Sequence, residues 1–228
     1  MSIDRGALAA GLSGVYLLTP DVNRESRARM VAALRRALRA GVRAVQYRNK
    51  LASPDGRHKE LAELRALTRA HQALLIVNDD VDLAIEFSAD GVHLGRDDGD
   101  LALARRRLPH ALLGASCYDD LERARRAVEA GADVLAFGSV FASQTKPAAV
   151  RAPLALLGEA RRQFPQQRIV AIGGIDHSNI ARVAAAGAHA AALISAVFDA
   201  PDPADAATGL QQEFERGRLS HVTQRAAV

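Results

Sequence analysis

The chain has one cysteine, no tryptophan, two methionines and three lysines among its 228 residues. A lone cysteine, Cys117, excludes an internal disulfide framework, and a reducing cytoplasmic compartment is the expectation. With no tryptophan and 4% aromatics, the chain lacks platforms on which single-stranded nucleic acid could stack. No apolar stretch approaches the ~20 residues that cross a bilayer, and the longest spans only residues 190–198. Residues 1–14 have no cationic start leading into an apolar core, so no secretory signal is expected. Seventeen glycines and eight prolines are too few for a fibrous or disordered chain. Charge is also unbalanced in kind, because the net +4 rests almost wholly on arginine. Its dense clusters, Arg105 to Arg107 and Arg123, Arg125 and Arg126, fall in helical patterns and read as solvated faces. Neither a nucleic acid nor a membrane is therefore expected as a partner.

What is present is alternation. Short apolar runs at 15–19, 44–47, 74–77, 91–94, 112–116, 134–137, 168–172 and 190–194 predict eight strands. Several are continuously apolar, as in strands buried on both faces. Helical patterns lie between them, at 26–40, 58–71, 121–129, 154–164 and 178–186. Such alternation implies parallel strands with right-handed crossovers. Eight units in about 200 residues predict an α/β fold, a single (β/α)₈ TIM barrel at its compact end. An open doubly wound sheet is the alternative. A small residue and a glycine lead into strands 2, 4, 6 and 8 in similar phrases (RAGVRAVQ, SADGVHLG, EAGADVLAFG, AAGAHAAALIS), a weak repeat that supports closure. One domain over 1–218 is expected, with a last helix at 203–216 and a loose tail at 219–228.

In such a barrel the chemistry sits where strands end. Strand 2 runs into Gln46, Tyr47, Arg48, Asn49 and Lys50, and alternation points Gln46, Arg48 and Lys50 one way, as an anion clamp or a salt-bridged strand end. Strand 3 runs into Asn78, Asp79 and Asp80, and strand 4 into Asp97 and Asp98. Each aspartate is a candidate helix cap, but Asp79 and Asp98 together, beside cations, predict a shared hard cation such as Mg²⁺. Strand 5 ends at Ser116 and Cys117, the latter read as packing. Strand 6 leads to Ser143, Gln144, Thr145 and Lys146, a hydroxyl-rich loop closing on a lysine. Gly173 and Gly174 after strand 7, with Ile194 and Ser195 after strand 8, fit a monophosphate site. His93, in an apolar stretch, reads as structural. Two of the three lysines, Lys50 and Lys146, fall in these motifs; the third is Lys59.

Taken together, VQYRNK, IVNDDVDLAIEFSADGVHLGRDD, LLGASCYD, GADVLAFGSVFASQTKP and VAIGGI…AALIS resemble the thiamine phosphate synthase family, in order and at family spacing over residues 14–197. The resemblance implies a transferase that joins 4-amino-2-methyl-5-hydroxymethylpyrimidine diphosphate to thiazole phosphate, giving thiamine phosphate and pyrophosphate, with Mg²⁺ as cofactor. It implies pyrimidine-diphosphate binding by Gln46, Tyr47, Arg48, Asn49, Lys50, Asn78, Ser116 and Lys146. Of these, Arg48, Lys50, Ser116 and Lys146 carry the catalytic role. Asp79 and Asp98 match the metal ligands, and Ser143, Gln144, Thr145, Gly174, Ile194 and Ser195 the thiazole-phosphate site. Gly138-Ser139-Val140, in place of the family's Gly-Pro-Ile, and Ser143 as the first hydroxyl are mild departures. The rival readings are a thiazole tautomerase, which has histidine where this chain has Tyr118, and a non-catalytic sensor of thiamine precursors, which would not need the Asp79 and Asp98 pair. Partners are then small-molecule substrates, and a homo-oligomer is compatible with the sequence.

Overall fold

A computed structural model describes residues 5–142 and 150–226, with residues 223–226 as backbone alone. Its eight strands are β1 (Gly14–Leu18), β2 (Ala44–Tyr47), β3 (Leu74–Asn78), β4 (Gly91–Leu94), β5 (Leu112–Tyr118), β6 (Val134–Phe137), β7 (Arg168–Ile172) and β8 (Ala190–Leu193). They close in sequence order into a barrel, and β1 pairs in parallel with both β2 and β8. The closed ring excludes the open-sheet alternative. The helices are α1 (Arg5–Gly11), α2 (Arg27–Arg39), α3 (Pro54–Ala70), α4 (Val81–Glu86), α5 (Leu101–Arg107), α6 (Leu121–Glu129), α7 (Ala155–Gln163), α8 (Ile180–Ala185), α9 (Ser195–Phe198) and α10 (Pro203–Ala226). Among the described residues no helix is long and apolar enough to cross a membrane.

Continuous apolar strands have a physical use here, because successive side chains face two different cores. Tyr16, Leu18, Ile76, Leu112, Val134 and Val170 fill the barrel interior. Ala9 and Leu12 join that cluster, so α1 and the turn after it plug the N-terminal end. Leu17, Val45, Leu75, Leu113, Leu135 and Ile169 point outward, into the layer under the helices. The interior is thus closed below and packed in the middle, which leaves the C-terminal mouth for polar groups.

Helices start close behind the strands because the turns supply caps. Asp80, Asp100 and Asp120 each accept from a backbone N–H three residues on, at 3.0 Å, and open α4, α5 and α6. Ser53 does the same for α3, accepting from Gly56 N at 3.2 Å, with Pro54 in the first turn. The tail departs from the expectation. α10 continues past Arg216 to Ala226, where a loose segment was predicted beyond Arg218. Gly217 lies within this helix. In the structure a Cβ there would stand 2.0 Å from the Ala181 carbonyl of α8, so this glycine lets two helices approach closely rather than ending one.

Candidate active site

The β2 side of the mouth follows the predicted alternation. Gln46, 3% exposed, faces the interior and donates from Nε2 to the Tyr16 hydroxyl at 2.8 Å. Burial holds that phenol protonated, well above its ordinary pKa. Arg48 stands at the mouth, its amide donating to Thr19 Oγ1 and its carbonyl accepting from the same hydroxyl, both at 2.8 Å. Asp21 organises the cations: one oxygen accepts from the Arg48 guanidinium and the other from the Lys50 amide, each at 2.6 Å. Burial opposes the Asp21 charge, but these bonds outweigh it and hold the carboxyl below its usual range. Tyr47 and Asn49 turn the other way, toward α3. The Tyr47 hydroxyl donates to Glu60 at 2.9 Å, and Asn49 Nδ2 donates to Glu60 Oε2 at 3.0 Å and to the Val22 carbonyl at 2.9 Å. Their side chains are spent on a buried knot that ties β2 to α3 and to the loop after β1. Both residues nevertheless line a cleft with Arg48, Lys50, Asn78 and Asp80.

Asp79 and Asp80 divide the two roles the sequence left open. Asp80 caps α4 and lies 3.7 Å from Arg57. Asp79 adopts a left-handed backbone (φ 66°), a conformation aspartate tolerates better than most residues, and its amide donates to the His93 carbonyl at 2.8 Å. Its carboxyl meets that of Asp98. Burial first, then a hydrogen bond to Asp98 and repulsion from it, push Asp79 up to about 6 despite Lys50 at 3.7 Å. Asp98 is in turn oriented by the Gly95 amide at 2.8 Å. The two carboxyls in contact form an all-oxygen donor set beside Lys50 and within the field of Arg48. That fits a hard divalent cation completing its shell with water and phosphate oxygens. No group of three or more potential metal ligands occurs among the described residues, so any ion here rests on this pair.

At the floor of the mouth, Ser116 Oγ lies 2.9 Å from His93 Nε2. His93 was read as structural, and it is buried, its pKa pushed down to about 4 by burial. A neutral imidazole so placed also orients the Ser116 hydroxyl. Gly114 makes room for it, since a Cβ there would come within 2.4 Å of His93 Nδ1.

Across the mouth, Gly173 and Gly174 both take positive φ, 103° and 62°. A Cβ on Gly174 would fall 2.1 Å from the Ala142 carbonyl, so the loop after β6 lies directly on the end of β7. Phe141 N bonds the Gly173 carbonyl at 3.0 Å and locks that crossing. Ser143, Gln144, Thr145 and Lys146, which follow at once, lie outside the described residues. Ile194 precedes α9 and exposed Ser195 opens it, just after β8, the strand that pairs with β7. The sequence reading did not find Thr19, Asp21 or Tyr16. The Thr-Pro-Asp run after strand 1 was the available signal, a polar strand end like the others.

A closed parallel barrel with cations, paired carboxyls and bare glycine turns at its C-terminal mouth belongs to the class of barrel enzymes that act on phosphorylated small molecules. Comparison with known proteins narrows this. The thiamine monophosphate synthase family model matches residues 15–197. A thiamine-phosphate synthase of Chromobacterium violaceum is 52% identical over 204 residues, which cover 89% of this chain and 97% of that one. One from Halorhodospira halophila is 50% identical over 91% of this chain and 97% of its own. The solved thiamine phosphate pyrophosphorylase from Pyrococcus furiosus superposes with a TM-score of 0.82 at 35% identity, covering 92% of this chain and 98% of that one. The chain belongs to the thiamine phosphate synthase family, and its activity is that of a transferase in thiamine biosynthesis.

Proposed function

We propose that the mouth binds 4-amino-2-methyl-5-hydroxymethylpyrimidine diphosphate on the β2–β5 side and thiazole phosphate on the β7–β8 side, and joins them with loss of pyrophosphate. The observation that carries this reading is the Asp79–Asp98 pair lying beside Lys50 and near Arg48, a place where a diphosphate and a divalent cation neutralise each other. Mg²⁺ held by Asp79 and Asp98 would supply charge neutralisation to the leaving group. Arg48 and Lys50, with Lys146 from the loop after β6, stabilise the negative charge that develops as the methylene–oxygen bond breaks. The aminopyrimidine carries the resulting benzylic-type cation, and the thiazole nitrogen attacks it. Ser116, oriented by neutral His93, sits beside the pyrimidine site. No strong general base is required, because the nucleophile is a ring nitrogen that carries no proton.

The test is pyrophosphate release from a mixture of both substrates with Mg²⁺. Asp79→Asn and Asp98→Asn are each expected to cut turnover by about 100-fold or more while the fold survives. Full turnover in excess chelator would refute the metal role.

A further inference from the structure

β5 ends irregularly. Its register with β6 shifts between Ser116 and Tyr118, and Tyr118 takes a left-handed backbone, φ 56°. This brings the half-buried ring to the mouth, its hydroxyl 3.8 Å from the point where a Cβ would stand on Gly95, the residue whose amide orients Asp98. Two guanidiniums lie on that ring: Arg96 Cζ at 4.9 Å from its centroid and Arg123 Cζ at 5.6 Å. Arg123 is anchored further, donating from Nε to the Ser116 carbonyl at 2.6 Å. Neither arginine is in an ion pair among the described residues, although the neighbouring Arg125 and Arg126 both are. A cation–π contact orders a guanidinium while leaving its N–H edge open to an anion. Asp120 feels the Arg123 charge without closing an ion pair with it, and Arg96 lies two residues from Asp98, so two ordered guanidiniums at this edge of the mouth are placed for a polyanion.

We infer that Arg96, ordered by Tyr118 and backed by Arg123, binds the diphosphate from the β4–β5 side of the mouth, while Arg48 and Lys50 hold it from β2. The inference rests on the diphosphate site proposed above and adds residues to it. Because Arg96 is exposed, its contribution is modest and sensitive to salt.

The test is calorimetric titration of the full chain with inorganic pyrophosphate in excess Mg²⁺, so that no chemistry intervenes. Arg96→Gln is expected to weaken binding about fivefold, the scale of one exposed charge pair, with the difference shrinking at high salt. Tyr118→Leu should weaken it similarly, and Tyr118→Phe, which keeps the ring, should not. Arg125→Gln, which removes an exposed charge paired with Glu122, should bind as wild type. Thermal unfolding checks that each variant is folded, and the KM for thiazole phosphate should stay unchanged in Arg96→Gln. Wild-type affinity in Arg96→Gln together with a large loss in Arg48→Ala would overturn this inference and leave the diphosphate site standing. Wild-type affinity in both would overturn the diphosphate site itself. A loss in Tyr118→Leu without one in Arg96→Gln would also overturn the inference, since the ring would then act without the cation.

Discussion

At the carboxyl of Asp79 a left-handed backbone, a second carboxyl and a lysine at 3.7 Å meet in one half-buried spot. Its pKa in the metal-free protein, about 6, lies above the ordinary 3.8, so in that state the charged form is the disfavoured one. The stability this group contributes is therefore present below the ordinary value and lost as pH rises through about 6. A bound cation reverses that penalty by favouring the charged form. Mg²⁺ affinity, measured by calorimetry, is accordingly expected to be flat above about pH 7 and to fall below about 6 as a proton competes for the pair. The thermal shift produced by Mg²⁺ should shrink over the same range. Asp21 offers a second check, because it orients cations without standing among the metal ligands. Asp21→Asn keeps the shape but removes the charge that holds Arg48. The KM for the pyrimidine diphosphate is expected to rise about tenfold, the worth of one charge-assisted bond, with little change for thiazole phosphate.

Elements set which of two similar residues gets which role. The turn between β3 and α4 places Asp80 at the helix cap and Asp79 one residue earlier, toward Asp98. Asp80→Ala should therefore cost about 1 kcal/mol of stability by denaturant unfolding and leave the Mg²⁺ requirement unchanged. Asp79→Asn should do the reverse. The pairing of β4 with β5 places His93 opposite Gly114, and that register leaves no space for a side chain on Gly114. Gly114→Ala is expected to cost about 1–3 kcal/mol by overpacking and to lower turnover as well, because His93 cannot shift without releasing Ser116.

For the whole molecule, acid is the revealing variable. His93 and His189 are both pushed down to about 4, chiefly by burial, and both are neutral in the folded protein near neutrality. A histidine whose folded pKa is depressed contributes stability that is present above its ordinary 6.5 and lost as pH falls toward the folded value. Asp79 and the exposed His58, whose pKa its bond to the Pro54 carbonyl raises, act in the opposite sense in part of that window, but the two buried imidazoles outweigh them. With Mg²⁺ removed, the thermal midpoint is expected to hold steady above about pH 7 and to fall between about 6.5 and 4. A midpoint that rises across that interval would contradict burial of the two imidazoles.

The barrel itself was legible because its determinants are local and repeated. Eight apolar runs, helices between them, and glycine ahead of every second strand specify parallel closure without knowledge of any contact. The two-sided use of β2 was legible for the same reason: period-2 alternation sends Gln46 and Arg48 to the mouth and Tyr47 and Asn49 to Glu60. Tertiary structure alone decided what depends on distance between strands. The meeting of the Asp79 and Asp98 carboxyls, the bond from Asp21 across to Arg48 and Lys50, and the room Gly114 leaves for His93 all arise between segments far apart in the chain. Gly217 is the sharpest case. The sequence shows only a residue with a weak helix preference, and whether it ends α10 or seats it on α8 depends on an Ala181 carbonyl that folding brings to the place of the missing Cβ.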